Sequence, residues 1–306
     1  MDDRYKGFID KFGGAVKQSE KLSAYTTFRT GGTADLFVDI TEVDRLAQVI
    51  GAAAEFEIPW FVIGGGSNLL ISDDGYSGLI IRNRIQRLGV QDNEIVCGAG
   101  EPLDRVVDFA TELSLTGFEF AAGIWGYIGG AIYGNAGAFG SDVGSLLHQA
   151  ELIDSEGQLR TEGHDYFEFG YRHSNLKQTG EIVGTAVFQL EPGDQEEIAR
   201  RTLEIRQLRE SKHPLEANSA GCIFKNIEDP QQPMGKLPAG KLLEESGVKE
   251  LHVGGAAVFE NHANIIINTG GATSKDIRRL ADIMKEKVKK KFDIELQEEI
   301  ISIGNI

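Results

Sequence analysis

Apolar positions in the first 115 residues follow helical spacing in some segments and strand spacing in others. Apolar residues recur every three to four positions between 43 and 56, as on the buried face of a helix, and Thr41-Glu-Val-Asp44 predicts a capping box at its start. Further elements are predicted as strands over 60–63, 78–82 and 94–100 and as a helix over 102–115. The pattern indicates a compact start of mixed helices and strands.

The middle and the last third of the chain differ in pattern. Alternating residues predict a meander of strands over 150–155, 158–161 and 180–189, which a charged helix over 195–210 follows. The last third is predicted to contain strands over 218–226, 263–268 and 294–303, a helix over 237–246, and a further helix that Ser274 caps. The change of pattern indicates a separate region after the charged helix.

The strand over 60–63 runs into a glycine-rich loop, Gly64-Gly-Gly-Ser-Asn-Leu69. Glycine lets the backbone turn tightly, and successive N–H groups in such a turn form a nest for an anion. The loop is not the dinucleotide motif G-x-G-x-x-G, because Leu69 stands where the third glycine would be, and no Gly-Lys-Ser/Thr of a P-loop follows. It predicts a site for a phosphate or a pyrophosphate.

A second glycine-rich segment, 123–140, has seven glycines among eighteen residues, with apolar residues between them. Flexible linkers are rich in serine and polar residues, so this composition is not that of a linker. Glycine at this density also disfavours an ordinary helix or strand. The pattern predicts a buried, irregular segment that lies against a flat ligand.

Composition narrows the classes of function. A net charge of −16 at pH 7 argues against a nucleic-acid surface, which would need lysine and arginine. The chain has no apolar run of membrane-spanning length, and its first residues do not form a signal peptide, so we expect a cytoplasmic protein. Two cysteines give no disulfide framework, and the six histidines show no metal-binding spacing. The sequence therefore predicts neither a metal site nor membrane binding, and no protein partner can be inferred from it.

Six stretches, in this order, resemble one family of bacterial flavoenzymes. They are Thr26-Thr-Phe-Arg-Thr-Gly-Gly32, the loop at 64–70, Phe120-Ala-Ala-Gly-Ile-Trp-Gly126 running into 129–140, Tyr171-Arg-His-Ser174, Ser219-Ala-Gly-Cys-Ile-Phe-Lys-Asn226 and Leu296-Gln-Glu-Glu-Ile300. On these stretches the chain resembles the UDP-N-acetylenolpyruvoylglucosamine reductases, which make UDP-N-acetylmuramic acid for peptidoglycan. The resemblance runs from about Tyr25 to Gly304, nearly the whole chain.

The resemblance implies both a fold and an activity. The fold would be α+β, with a two-part FAD-binding unit of the vanillyl-alcohol-oxidase/PCMH type over 1–205 (subdomains of about 1–85 and 86–205) and a smaller α+β substrate-binding domain over 206–306. The activity would be that of an NADPH-dependent oxidoreductase. NADPH reduces non-covalently bound FAD, and UDP-N-acetylglucosamine enolpyruvate then takes a hydride at C3 to give UDP-N-acetylmuramate. Such an enzyme serves peptidoglycan synthesis in the cytoplasm, and through it cell shape and division.

The resemblance places FAD on the two glycine-rich segments. Gly64–Asn68 would hold the pyrophosphate, and the second segment would line the isoalloxazine and adenine side. The cofactor-binding residues implied are Gly64, Gly65, Gly66, Ser67, Asn68, Leu69, Gly123, Gly130, Gly137 and Ala138. This agrees with the nest read from the residues, because backbone amides can hold a pyrophosphate without lysine.

Three catalytic residues are implied by the resemblance: Arg172, Cys222 and Glu299. Arg172 matches the arginine of the family's Tyr-Arg-x-Ser motif, and a planar guanidinium suits the substrate carboxylate because it bonds both oxygens. Glu299 matches a glutamate that stabilises the enol-type intermediate as a proton donor. Glu298 beside it would point to the opposite face of the strand.

Cys222 is a departure from the family, which usually has a serine that protonates C2 at this position. A thiol fits the task, since it is mostly protonated at neutral pH and is a stronger acid than a serine hydroxyl. Lys225 and Asn226 follow it, in the region that the family uses, with Arg172, to bind substrate. The span of about 50 residues between Arg172 and Cys222 resembles the shorter branch of the family, without the inserted tyrosine loop.

Two alternatives remain beside this interpretation. The first is another flavin oxidoreductase on the same scaffold, such as an alcohol oxidase, since the fold alone would not separate the two. The second is a flavin-binding protein with a repurposed site, which Cys222 would mark.

Overall fold

The computed structural model describes residues 3–213, 218–232 and 235–306. The backbone groups into two compact units. Unit 1 comprises the chain up to Glu20, Asp35–Gly65 and Ser77–Leu208, and unit 2 comprises Lys21–Ala34, Gly66–Tyr76 and Arg209–Ile306. The functional domain limits of 1–205 and 206–306 stay a prediction, and the sequence pattern gave no sign that two early segments would pack within unit 2.

The helices in the described part of the chain are α1 (Asp3–Phe12), α2 (Val43–Glu55), α3 (Leu103–Glu112), α4 (Ile128–Gly134), α5 (Leu176–Thr179), α6 (Gln195–Glu210), α7 (Ala239–Glu245) and α8 (Ser274–Phe292). The strands are β1 (Lys17–Lys21), β2 (Thr33–Ile40), β3 (Trp60–Ile63), β4 (Leu69–Ile71), β5 (Tyr76–Asn83), β6 (Leu88–Gln91), β7 (Glu94–Gly98), β8 (Leu115–Thr116), β9 (Gly137–Ala138), β10 (Ser141–Asp142), β11 (Leu147–Ile153), β12 (Leu159–Gly163), β13 (Ile182–Gln189), β14 (Glu191–Pro192), β15 (Ile227–Glu228), β16 (Lys236–Leu237), β17 (His252–Val253), β18 (Ala256–Phe259), β19 (His262–Asn268) and β20 (Ile301–Ile303).

Unit 1 is built on two main sheets. Most of the four-stranded sheet, in the order β1-β2-β5-β3, lies in this unit, and β3 runs parallel to β5. The five-stranded sheet, β12-β11-β13-β7-β6, is antiparallel throughout. One apolar core packs between the larger sheet and α3 and α4, with the rings of Phe118 and Phe188 edge to face at 5.1 Å. A second core, around Phe8 and Leu46, buries the apolar face of α2.

Unit 2 combines a small antiparallel sheet with two helices. The sheet has the order β17-β18-β19, and its apolar residues share a core with those of α7 and α8. A separate parallel pair joins β4 to β20, with Leu69 opposite Ile301. Asp73, which follows β4, accepts hydrogen bonds from the Ser274 backbone N–H (3.0 Å) and hydroxyl (2.7 Å) at the start of α8. The early segment 66–76 is thereby anchored to the last hundred residues of the chain.

Two predicted elements have the limits expected for them, while two predicted helix caps are wrong. Helix α6 and strand β3 have the predicted limits. Helix α2, however, begins after Glu42, which makes no side-chain cap, so Thr41 lies outside the start of the helix and forms no capping box there. Helix α8 is capped by Thr273, which forms a capping box with Asp276, while the Ser274 hydroxyl is engaged by Asp73.

Three other segments differ from prediction because their local pattern did not reveal tertiary partners. The segment 123–140 is not irregular throughout, since α4 forms within it and buries Ile128 and Ile132. The predicted strand over 218–226 forms only isolated bridges, at Asn218, Cys222 and Phe224. The predicted strand over 294–303 is regular only from 301 to 303, because the chain changes its pairing partner shortly before.

Candidate active site

The glycine loop after β3 leaves no room for side chains at its turn. Gly66, in unit 2, has φ +65°, and a Cβ atom added there would lie 2.0 Å from the Tyr25 carbonyl oxygen. The Gly66 carbonyl in turn accepts a hydrogen bond from the Thr27 backbone N–H at 3.2 Å. A residue with φ > 0 and no space for Cβ must be glycine, so at Gly66 the loop packs closely against the backbone of Tyr25–Thr27.

Within unit 1, bare backbone lies beside an aromatic ring. A Cβ atom added to Gly64 would lie 3.4 Å from the Cβ and Cδ2 atoms of Tyr127, and one added to Gly65 would lie 3.4 Å from Cε1 of the same ring. A Cβ atom added to Gly130 would meet no atom within 4 Å. Peptide groups without side chains can approach a pyrophosphate closely, and an aromatic ring can pack against a flat ring system. These residues therefore fit a flavin nucleotide. Tyr127 was not predicted from the sequence, because its contact with Gly64 and Gly65 spans more than sixty residues of chain.

Several predicted cofactor residues have partners inside unit 1. The N–H of Gly123 donates to the Asp104 carboxylate at 2.8 Å. Gly137 and Ala138 form β9, which pairs with β10. The side chains of two large apolar residues in this segment are about half exposed, Trp125 at 48% and Phe139 at 50%. The polar groups of Gly123 and Gly137 thus help to shape the segment.

Arg172 is fixed against the second glycine-rich segment. Its Nη1 donates to the Gly137 carbonyl oxygen at 3.1 Å, and its backbone is in the left-handed region at φ +52°. The Ser174 hydroxyl donates to the Tyr133 carbonyl at 2.8 Å, and the Asn135 side chain donates to the Gly170 carbonyl at 2.9 Å. A non-glycine residue at positive φ stores strain that the surrounding structure must hold. The motif around Arg172 is therefore tied to the glycine-rich segment at three points.

In unit 2 the structure brings Cys222 and Glu299 onto neighbouring backbone segments. Ile223, which follows Cys222, accepts a hydrogen bond from the Glu299 N–H at 2.8 Å. On its other side, the Ile223 N–H donates to the Asn264 carbonyl at 2.9 Å, and Cys222 itself forms a bridge with Ile265. Cys222 is half-buried, and Ile223 is fully buried. The backbone positions of both predicted acids thus depend on one buried residue, Ile223.

Asn264 completes this frame and was missed from the sequence. It is 2% exposed, and its side-chain amide accepts from the Phe224 N–H (3.0 Å) and donates to the Phe224 carbonyl (2.8 Å). The side chain thereby satisfies two backbone groups of Phe224, as a neighbouring strand would. The available signal was a polar residue inside the apolar run Ala263-Asn-Ile-Ile-Ile267.

The remaining predicted residues of unit 2 have separate roles in the structure. Glu298 forms an ion pair with Arg278, Nη1 to Oε1 2.5 Å. The Lys225 N–H donates to the Gln297 carbonyl at 2.8 Å, which continues the pairing of the two segments. The Asn226 side-chain oxygen accepts from the N–H of Ala239 at 3.0 Å, so this side chain caps the start of α7.

Burial shifts the pKa of one cysteine and two histidines outside these contacts. It raises the pKa of Cys97, a fully buried core residue, and so keeps that thiol protonated. Burial also lowers the pKa of His213 to about 4 and lowers the pKa of His262, whose ring stacks on that of His213 at 5.8 Å. Both rings are held neutral in unit 2.

The described part of the chain offers neither a cluster of metal ligands nor a membrane-spanning helix. In the ranges 3–213, 218–232 and 235–306, no group of three or more His, Cys, Asp or Glu residues could hold a metal ion. Among the helices that the structure describes, none is both long enough and apolar enough to span a membrane.

Comparisons with known proteins agree over nearly the whole chain. Residues 213–303 match the C-terminal domain of UDP-N-acetylenolpyruvoylglucosamine reductase, and residues 34–163 match an FAD binding domain. The UDP-N-acetylenolpyruvoylglucosamine reductase of Clostridium tetani (strain Massachusetts / E88) is 37% identical over 308 residues, 99% of this chain and 98% of that protein. The same enzyme of Latilactobacillus sakei subsp. sakei (strain 23K) is 39% identical over 290 residues, 94% of this chain and 93% of that protein.

Solved structures show the fold. The UDP-N-acetylenolpyruvylglucosamine reductase of Thermus caldophilus aligns with a TM-score of 0.77 and 31% identity, over 94% of this chain and 98% of that one. A variant of Phl p 4, a glucose oxidase, aligns with a TM-score of 0.53 over 75% of this chain and 53% of that one, and at 12% identity it shows the fold alone. The fold is thus α+β, with an FAD-binding domain of the vanillyl-alcohol-oxidase/PCMH type, as predicted.

Proposed function

The chain belongs to the UDP-N-acetylenolpyruvoylglucosamine reductase family, and from this premise we propose that it reduces UDP-N-acetylglucosamine enolpyruvate to UDP-N-acetylmuramate with NADPH. The observation that carries the proposal is the shared backbone frame of Cys222 and Glu299 in unit 2. Both residues can give protons, and a hydrogen bond from the Glu299 N–H to the carbonyl of Ile223, the neighbour of Cys222, joins their backbone segments. Such a pair suits a reaction that adds a proton to carbon.

FAD would be held by the bare peptide groups of the glycine loop and by the ring of Tyr127. When bound, FAD supplies hydride transfer between NADPH and the substrate. Tyr127 and the backbone of Gly64, Gly65 and Gly130 would orient the cofactor, because glycines carry no side chain of their own that would keep a ligand from their peptide groups. The binding needs no lysine, which agrees with the acidic composition of the chain.

The protein's own residues would handle the charge and the proton. Reduction of the enolpyruvyl group adds a hydride at C3 and a proton at C2, and negative charge develops at C2 and on the carboxylate as the hydride arrives. Arg172 would bind that carboxylate with its guanidinium fork. The Cys222 thiol would give its proton to C2, and the resulting thiolate would be reprotonated before the next turnover. Glu299 would donate a proton to the enol-type carboxylate oxygen as the charge develops and would take it back when C2 is protonated, so that one proton is added overall.

Lys225 and Asn226 would contribute to substrate binding beyond the reacting carbons. The Lys225 ammonium can bind a phosphate of the UDP group as a point charge. The Asn226 side-chain oxygen caps α7, and an amide side chain carries both donor and acceptor groups of the kind that bind a sugar. We place the reaction in the cytoplasm, where it would serve peptidoglycan precursor synthesis.

The test separates the two half-reactions by anaerobic stopped-flow absorbance of the bound flavin. Cys222→Ala is expected to keep flavin reduction by NADPH but to slow reoxidation by the enolpyruvyl sugar by about 10²-fold or more, the range that a general acid contributes. Cys222→Ser is expected to retain much of the activity, since a hydroxyl can also give a proton. Glu299→Gln is expected to show the same split.

A matched control is the other cysteine, Cys97, which is fully buried in the core of unit 1. Cys97→Ala is expected to leave both half-reactions close to wild type and to lower stability only. Rapid reoxidation of Cys222→Ala would remove Cys222 from the mechanism. Unimpaired reoxidation of Glu299→Gln would do the same for Glu299.

A further inference from the structure

Glu299 lies where its segment changes pairing partners. Glu298 is bridged to Phe224, whereas Ile301 pairs with Leu69 in the parallel pair of β4 and β20. Between these two pairings the chain bends at Ile300. A residue between two different strand pairings has no regular ladder of backbone hydrogen bonds on either side. Its position therefore depends on the individual groups that hydrogen-bond to its N–H and carbonyl.

Asn68 supplies the missing support. Its side-chain Nδ2 donates to the Glu299 carbonyl oxygen at 3.1 Å, and its own backbone carbonyl accepts from the Ile301 N–H at 2.9 Å. The Glu299 N–H is already engaged by Ile223. Glu299 is therefore held on one side by the segment that carries Cys222 and on the other side by Asn68. All of these contacts lie within unit 2.

We propose that Asn68 is a positioning residue for Glu299, in addition to the cofactor-binding role predicted for its loop. The proposal rests on the role proposed for Glu299 above. Only a neutral amide fits this contact, since it donates to a carbonyl oxygen, whereas an ionised carboxylate of the same shape can only accept. Through this bond, the conformation of the glycine loop sets the conformation of the proposed proton donor.

The experiment measures both half-reactions per bound flavin in Asn68→Ala and Asn68→Asp. Reoxidation by the enolpyruvyl sugar is expected to slow about tenfold or more beyond any slowing of flavin reduction by NADPH, because a small misplacement of a reacting group is costly. The aspartate variant is expected to be at least as slow as the alanine variant. Equal slowing of the two half-reactions would overturn the positioning role.

A double-mutant cycle shows whether Asn68 acts through Glu299. In the Glu299→Gln background, Asn68→Ala is expected to slow reoxidation by less than twofold, since the group that it positions is already lost. A full additional slowing would mean that Asn68 acts elsewhere, and would overturn the proposal. The matched control is Arg278→Gln, which releases Glu298 beside Glu299; it is expected to leave reoxidation within twofold, and slowing equal to that of Asn68→Ala would overturn the specific role.

A readout independent of catalysis is amide hydrogen exchange of the peptide covering 296–303. Exchange at Ile301 and Glu299 is expected to become at least tenfold faster in Asn68→Ala than in wild type. Unchanged exchange would show that the Asn68 side chain does not hold this segment; it would overturn the positioning role and leave the proposed function standing. A wild-type enzyme that the enolpyruvyl sugar does not reoxidise would instead overturn the proposed function, and the role of Asn68 in it.

Discussion

The frame that carries Cys222 is predicted to depend on one buried amide, that of Asn264. Replacing it by leucine (Asn264→Leu) keeps a similar volume but removes both hydrogen bonds to Phe224, 3.0 and 2.8 Å long. Because Phe224 is 1% exposed, its N–H and carbonyl would stay buried without partners. Each such group costs about 1–3 kcal/mol, so we expect a loss of about 2–6 kcal/mol in the free energy of unfolding of unit 2. That is a large part of the 5–15 kcal/mol typical of a folded protein.

The assay is urea unfolding, monitored by the hydrogen exchange of peptides from β18 and β19. Fluorescence would follow the wrong unit, since both tryptophans, Trp60 and Trp125, lie in unit 1. The matched control is Thr269→Ala, which removes a side-chain bond to the Gly255 carbonyl (2.9 Å) at an exposed position of the same sheet. Because water can replace that bond, the control is expected to cost less than about 1 kcal/mol.

Two results would refute the reasoning about Asn264. A loss below about 1 kcal/mol in Asn264→Leu would show that the two Phe224 groups find other partners. A loss equal to that of Thr269→Ala would show that burial of the amide contributes nothing beyond an ordinary surface hydrogen bond.

Further predictions concern the loop, the arginine and the histidines. In thermal unfolding, Gly66→Ala is expected to lower stability by at least about 1–2 kcal/mol, which is the cost of placing an L-residue in the left-handed region. The control Gly14→Ala should cost little, because its added Cβ meets no atom within 4 Å, and equal melting temperatures of the two variants would contradict the prediction. Arg172→Lys is expected to slow flavin reoxidation by the enolpyruvyl sugar about tenfold or more while NADPH still reduces the flavin, because the bidentate fork is lost, and wild-type reoxidation would remove the arginine from carboxylate binding. Because burial lowers the pKa of His213 to about 4, the unfolded chain binds more protons than the folded chain between pH 6.5 and 4. The urea midpoint of unit 2 should therefore fall between pH 7 and pH 5, and His213→Asn should make that fall less steep. An equally steep fall in the variant would show that His213 is not its cause.

Elements with a strong local signal could be predicted from the sequence. The meander of β11, β12 and β13 follows from alternating residues, and α6 follows from a charged run of residues that favour a helix. Helix α4 could not be predicted, because its glycines disfavour a helix in isolation and packing of Ile128 and Ile132 outweighs that preference. Local helix propensity is therefore a poor guide where the folded protein buries the apolar side chains of a segment.

The candidate site shows the same division. The roles of Arg172, Cys222 and Glu299 in carboxylate binding and proton transfer come from the residue types and the resemblance, and they stay predictions. Their supports could not be predicted, because Asn68 and Glu299 are 231 positions apart in the chain and meet only in the folded unit. Asn264 could have been suspected as a polar residue inside an apolar strand, although its partner could not.

The central claim is that this chain passes a hydride from NADPH to the UDP-linked enolpyruvyl sugar through its bound FAD. The most direct test is anaerobic stopped-flow absorbance of the flavin in the purified wild-type protein, with NADPH added first and UDP-N-acetylglucosamine enolpyruvate second. We expect the flavin absorbance to bleach on NADPH and to recover rapidly on the sugar. Bleaching without recovery would contradict the claim, since the flavin and its reductant would remain but the proposed substrate would not.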